Sequence, residues 1–163
     1  MKRKFIYFFI IIGIIALVYF RFTNRTSNQS IKYEDKNSNG IWDDVEPFIK
    51  ANAKNELQKK ALEFEAKAFQ EIILNPENAL EVKQGNYSQD ILGRAFACRR
   101  IVWGRLTNAQ GRPDIRDTIL ASRARVHAYI KYHKNLSGAV FGLWEDKNTG
   151  NPCPFEVGNL SEK

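Results

Sequence analysis

The stretch Asp43–Leu74, DDVEPFIKANAKNELQKKALEFEAKAFQEIIL, carries the strongest structural signal in the chain. Apolar residues recur in it at spacings of three and four, which is the pattern of an amphipathic helix. Pro47 falls in the first turn, where a missing backbone N–H costs little. Asn75 and Pro76 end the pattern. The stretch predicts one long helix, which buries a stripe formed by Val45, Ile49, Ala53, Leu57, Ala61, Phe64, Ala68 and Ile72.

Two further helices are predicted downstream of this one. The second covers about residues 88–106, after an Asn86-x-x-Gln89 sequence that resembles a capping box. The third opens at Pro113 and ends near residue 135, and the tail after it, residues 139–163, is rich in Gly and Pro. Alternation of the kind that marks strands does not extend beyond a few residues. The expected fold is therefore all-α, a small three-helix-type domain with an irregular C-terminal tail.

The N-terminus reads as a separate segment. Residues 5–20 are apolar and uncharged, close to the roughly 20 residues that span a bilayer as a helix. A cleaved signal peptide is the alternative, but the run ends in bulky residues where a cleavage site needs small ones. We therefore expect a signal anchor at residues 1–22, a polar tether at residues 23–34, and a helical domain from residue 35 to residue 163.

The basic residues at the start of the chain suggest an orientation. Lys2, Arg3 and Lys4 form a tight cluster before the apolar run, and basic residues tend to stay on the cytoplasmic side. We expect a single-pass membrane protein with a cytoplasmic N-terminus and an exported domain. Export would place Cys98 and Cys153 in an oxidising compartment, where an even pair favours a disulfide; two free thiols are the alternative.

A metal-binding pattern lies just before the long helix. The sequence Asp35-Lys-Asn-Ser-Asn-Gly-Ile-Trp-Asp-Asp-Val-Glu46 fits D-x-[DN]-x-[DN]-G-x5-E at every specified position. Calcium takes six to eight oxygen ligands, and alternate residues of a tight loop turn their oxygens inward. Gly40 allows the sharp turn. The predicted ligands of Ca²⁺ are the side chains of Asp35, Asn37 and Asn39, the carbonyl of Ile41, and the side chains of Asp43 and Glu46.

This segment resembles the EF-hand family of calcium loops, in particular single bacterial loops of the form D-x-N-x-N-G-x-x-D-D. The resemblance covers residues 35–48 and implies a calcium site, and the departures from the family pattern favour a structural one. Two departures stand out. Trp42 occupies a position where a smaller aliphatic residue is usual, and no partner hand is evident. An Asn- and Gly-rich turn before an ordinary helix cap is the alternative interpretation.

The net charge of the chain limits the classes of partner that it is expected to bind. The net charge is +7 and the pI about 9.5, which for an exported chain favours anionic envelope components, a protein or the membrane over nucleic acid. Arginines are concentrated in the second and third predicted helices and could bind carboxylates or phosphates. A solvated face is the alternative. The candidate partner-binding residues are Arg94, Arg99, Arg100, Arg105, Arg116 and Arg123.

The sequence holds no spacing that supports a catalytic triad or a Cys–His pair. We therefore expect a binding or interaction module, of inhibitor, immunity or envelope-accessory type, with calcium as its cofactor. The alternative is an enzyme acting on the cell envelope, in which arginines hold an anionic substrate and a Glu or His side chain is the acid or base.

Overall fold

The computed structural model describes Gly13, Ile31 and residues 33–85, 90–104, 113–138 and 150–157. Within these ranges the chain is helical and contains no strand, which confirms the all-α class. The helices, in chain order, are α1 (Glu46–Asn52), α2 (Glu56–Leu74), a 3₁₀ turn (Pro76–Asn78), α3 (Ala79–Lys83), α4 (Ile91–Val102), α5 (Arg116–Ile119) and α6 (Arg123–Leu136).

Helix α2 lies at the centre of this arrangement. It packs against α1, α4, α5 and α6. Its buried set is wider than the predicted stripe, because Leu62, Ala66, Phe69 and Ile73 are buried in addition to the stripe residues Ala61, Ala68 and Ile72. A helix that has neighbours on several sides buries more than the ~100° face of a surface helix.

The predicted continuous helix from residue 43 to Leu74 is wrong in one respect, because the chain breaks between α1 and α2. Ala53 is extended, with ψ 121°, and Asn55 begins a new helix. The Asn55 side chain accepts a hydrogen bond from the Gln58 N–H at 2.9 Å, and Gln58 Oε1 accepts one from the Lys54 N–H at 2.9 Å. Two backbone donors are satisfied reciprocally, much as in a capping box. The apolar period continues through the break, so periodicity alone does not reveal it.

The third predicted helix is also divided. It is made of α5 and α6, and Ser122 between them caps α6 by accepting a hydrogen bond from the Arg125 N–H at 3.3 Å. The second predicted helix corresponds to α4, which begins one residue after Asp90. The Asp90 carboxylate accepts a hydrogen bond from the Gly93 N–H at 2.9 Å. The predicted ends of that helix at residues 88 and 106 lie outside the described residues.

The disulfide between Cys98 and Cys153 is confirmed. It joins α4 to the tail across a sequence separation of 55. Cys98, Cys153 and Ala61 are buried together, with Phe155 and Val157 of the tail packed against them. A cross-link over a loop of this length stabilises the folded state by about 4 kcal/mol in the chain-entropy model. The irregular tail is therefore held to the core over residues 150–157, by one covalent bond and an apolar contact.

The predicted anchor at residues 1–22 lies outside the described residues except for Gly13. No helix in the described part of the chain combines the length and the apolarity needed to cross a bilayer.

Candidate functional site

The loop predicted to bind calcium is a tight polar turn in front of α1. Two of its residues adopt positive φ, Ser38 at 57° and Gly40 at 82°. Glycine tolerates this conformation without strain because it has no Cβ atom. The Asp35 carboxylate lies inside the turn. Its Oδ1 accepts a hydrogen bond from the Asn39 N–H at 3.1 Å and its Oδ2 accepts one from the Gly40 N–H at 2.9 Å. The first predicted ligand therefore organises the backbone of the loop.

Glu46 closes the loop from the first turn of α1. Its Oε1 accepts hydrogen bonds from the side-chain amides of Asn37, at 2.7 Å, and Asn39. The amide oxygens of the same two residues accept backbone N–H groups, from Asn39 at 3.2 Å and from Ile41 at 2.8 Å. Three of the six predicted ligands, at loop positions three, five and twelve, thus converge on one point.

Asp43, another predicted ligand, has other partners. Asp43 Oδ1 accepts a hydrogen bond from the Lys36 N–H at 3.1 Å, and the Lys36 ammonium group lies 4.0 Å from Asp43 Oδ2. Throughout the described ranges, no three His, Cys, Asp or Glu side chains are grouped so that they could hold a metal ion. Calcium at this loop would need the Asn37 and Asn39 amides to turn their oxygens toward Glu46. The carboxylate and amide oxygens present are the donor types that calcium prefers, so the residue set fits the ion.

One side chain of α2 attaches this loop to the core. The Gln70 amide is buried; its oxygen accepts a hydrogen bond from the Trp42 N–H at 3.0 Å, and its nitrogen donates one to the Gly40 carbonyl at 3.0 Å. A single amide thereby satisfies a donor and an acceptor of the loop backbone, which would be costly to bury without partners. The sequence carries no signal for this contact, because Gln70 is 28 residues from Trp42.

Trp42, the residue that departs from the usual calcium loop, packs into the domain. Its side chain is buried, and the Arg125 guanidinium lies 3.9 Å from its ring centroid. Tyr33 stacks on the same indole, with ring centroids 5.7 Å apart. Arg125 also donates hydrogen bonds to Asp44 Oδ2 at 2.7 Å and to the Ile119 carbonyl at 3.3 Å. The bulky residue therefore connects the loop to α6 through a cation–π contact.

The arginines predicted to form one binding face have different surroundings. Arg99 makes an ion pair with the buried Glu65 at 2.8 Å and donates a hydrogen bond to the Pro113 carbonyl at 3.0 Å. Arg116 pairs with Asp114 at 3.0 Å, and the Arg94 guanidinium lies 5.9 Å from the Phe64 ring centroid.

Of the other predicted arginines, Arg123 is exposed in the first turn of α6 and Arg100 is half-buried on α4. Arg105 lies outside the described residues. At least Arg99 therefore makes contacts within the domain and does not belong to a docking surface.

Glu65 is the most unusual ionisable group among the described residues. Its side chain has 0% exposure, and none of the described residues gives either carboxylate oxygen a well-oriented hydrogen bond. Burial raises the pKa of Glu65 to about 7, with Arg99 acting in the opposite direction and the Asp114 charge adding to the rise. The carboxyl group therefore changes its charge near neutral pH.

Comparison with protein-family models, with curated proteins and with solved structures finds no match for this chain. The site must therefore be interpreted from its own geometry.

Proposed function

We propose that this chain is a membrane-anchored, exported helical binding module with one structural calcium site at residues 35–46. Its partner would be a protein or an anionic component of the cell envelope. The observation that carries the proposal is the convergence of Asn37 and Asn39 on Glu46 within a loop that matches the calcium pattern. The backbone of the loop is already turned at Gly40, as the calcium pattern requires, and the Asn37 and Asn39 amides would rotate to bind the ion.

The fixed position of the loop favours a structural role for the ion. Gln70 and Arg125 attach the loop to α2 and α6, and Trp42 of the loop is buried against the Arg125 guanidinium. Among the predicted ligands, only the carboxylates of Asp35, Asp43 and Glu46 are charged. This low ligand charge predicts weak calcium binding, with Kd about 10⁻⁴ to 10⁻³ M. Such affinity suits an extracellular ion concentration, and the ion would stabilise the start of α1 without switching the domain.

Terbium luminescence tests the site directly, because Trp42 lies within the loop. We expect excitation of tryptophan in the full chain to sensitise bound terbium, and calcium to compete the signal away. The Asp35→Asn variant should lose the signal, since it removes a loop carboxylate. Asp117→Asn, on the exposed surface of α5, is the matched control and should retain it. Absence of a calcium-competed signal from the unsubstituted chain would refute the calcium site.

The alternative is an envelope-acting enzyme that pairs a carboxylate with an arginine. Glu65 and Arg99 form such a pair at 2.8 Å, and the pKa of Glu65, raised to about 7 by burial, lies in the range of a general acid. A substrate would have to reach the Glu65 carboxyl group, however, and that side chain has 0% exposure. The pair therefore supports an interior structural role better than a catalytic one, and the binding module is the function we favour.

A further inference from the structure

A groove of about 880 Å³ opens beside the calcium loop, between the loop, α1 and the start of α2. Its size is in the upper part of the ~300–1,000 Å³ range of ligand-binding clefts. Four predicted calcium ligands line it: Asn39, Ile41, Asp43 and Glu46. A cation bound at the loop would therefore lie at the wall of the groove and contribute its charge to whatever the groove holds.

The lining combines apolar and charged side chains. Pro47 and Ala53, which cover the buried Ile41 and Ile49, give it an apolar part, onto which a hydrophobic side chain of a ligand can pack. Lys50 and Lys54 lie on its rim, are exposed, and form no ion pair with any described residue. Such ammonium groups are available to a carboxylate of a ligand.

The third lysine of the groove is already shared between two acids. Lys59 lies 3.9 Å from both Glu56 and Glu63 on α2. Four carboxylates and three ammonium groups line the groove, so the formal charge of its lining is −1. Together with Asp35, which would also hold the ion, the formal charge is −2, and a divalent cation at the loop would neutralise it. Calcium would therefore remove the net negative charge that an approaching acidic ligand meets.

We propose that this groove binds a short extended peptide segment of a partner protein, with an acidic residue directed at Lys50 and Lys54 and apolar residues on either side of it. The proposal rests on the calcium site proposed above, because calcium would strengthen the binding by neutralising the net negative charge of the groove. A uniformly anionic polymer is less well matched, since Glu56 and Glu63 line the same groove and would repel it.

The test is fluorescence anisotropy of a short dye-labelled peptide with one aspartate between leucines, added to the full chain in nonionic detergent. We expect binding in about 1 mM calcium and a weakening of about tenfold in chelator, since each exposed ion pair contributes little but the ion acts on the whole groove. A peptide with lysine in place of the aspartate should bind more weakly in calcium. Equal binding of the two peptides would overturn the proposal.

Variants separate this proposal from the calcium site itself. Lys50→Gln with Lys54→Gln should weaken peptide binding about fivefold while leaving terbium luminescence unchanged. Lys60→Gln with Lys134→Gln removes the same charge from exposed positions that do not line the groove and is the matched control. Asp35→Asn removes a calcium ligand that does not line the groove, and should abolish only the calcium dependence.

The terbium and peptide measurements together distinguish failure of the groove proposal from failure of the calcium site. Terbium bound and competed by calcium, with no peptide binding in either condition, would overturn the groove proposal and leave the calcium site intact. Loss of the terbium signal from the unsubstituted chain would refute the calcium site. Peptide binding that is equally tight in calcium and in chelator would overturn the charge neutralisation on which the proposal depends.

Discussion

Two regions of this domain each place an arginine beside a carboxylate, and they bury opposite members of the pair. At the loop of residues 35–46, the Arg125 side chain is 4% exposed while its partner Asp44 is 51% exposed. Between α2 and α4, the Glu65 side chain is 0% exposed while Arg99 is 18% exposed. The interior therefore contains a buried arginine in one region and a buried carboxylate in the other, and the partners of these two groups differ.

The buried arginine has partners suited to a planar cation. The Trp42 ring lies against its guanidinium at 3.9 Å, the Ile119 carbonyl accepts from it at 3.3 Å, and Asp44 accepts at 2.7 Å. Among the described residues, no well-oriented N–H donor stabilises the charged form of the buried carboxylate, and Arg99 is its ion-pair partner. Its pKa consequently rises to about 7, so one region is permanently charged and the other depends on pH.

The largest effect is expected from breaking the arginine region. Arg125→Met should lower the free energy of unfolding by about 4 kcal/mol, because it removes the cation–π contact and the charged hydrogen bonds together. Urea unfolding of the full chain in nonionic detergent measures this. Arg123→Met, two residues earlier and exposed, should change stability by less than about 0.5 kcal/mol. Equal effects of the two substitutions would contradict the assigned role of Arg125.

The second effect concerns the carboxylate region and its pH dependence. The pKa of Glu65 is raised in the folded state from 4.5 to about 7, so its favourable contribution is complete below pH ~4.5 and is lost as the pH rises through 7. The unsubstituted chain should therefore lose up to about 3 kcal/mol relative to Glu65→Gln between pH ~4.5 and 8.

Unfolding titrations at several pH values provide the measurement. Glu63→Gln, a less buried position on the same helix, is the control and should keep the pH dependence of the unsubstituted chain. A constant difference between the unsubstituted chain and Glu65→Gln over this range would show that Glu65 does not titrate near neutral pH.

A smaller effect is expected from Gln70, whose amide is neutral. Unlike the Glu65 carboxylate, this amide has hydrogen-bond partners for both its oxygen and its nitrogen. Gln70→Leu would leave the Trp42 N–H and the Gly40 carbonyl without partners and should cost about 2 kcal/mol, with no change in the pH profile. It should also weaken terbium binding, since the loop loses its attachment to α2. Unchanged stability and unchanged luminescence would contradict the role assigned to Gln70 in attaching the loop to α2.

The all-α class, the long central helix and the cysteine pair could be predicted from the sequence, since they depend on local periodicity and on an even cysteine count. The break at Asn55 was missed even though its signal is local, because the apolar stripe runs through Ala53 and Leu57 and conceals the cap. The boundary between α5 and α6 was missed in the same way, at Ser122.

The contacts that position the candidate site could not be predicted. Arg125 meets Asp44 across 81 residues, and Gln70 meets Gly40 across 30, so no short-range pattern links them. Arg99 was predicted on a partner-binding face because surface and buried arginines look alike in sequence. Only the packing of α2 against α4 brings it to the buried Glu65.

The disulfide has a further consequence for how the chain tolerates proteolysis. Cys98 and Cys153 are joined, so a single cut anywhere between Ser137 and Gly150 would leave residues 150–157 covalently attached to α4. The nicked protein would migrate as one species without reductant and as two with it, and the contact of Phe155 with the core would survive the cut. The disulfide therefore keeps the tail attached to the core even when the backbone between Ser137 and Gly150 is cut.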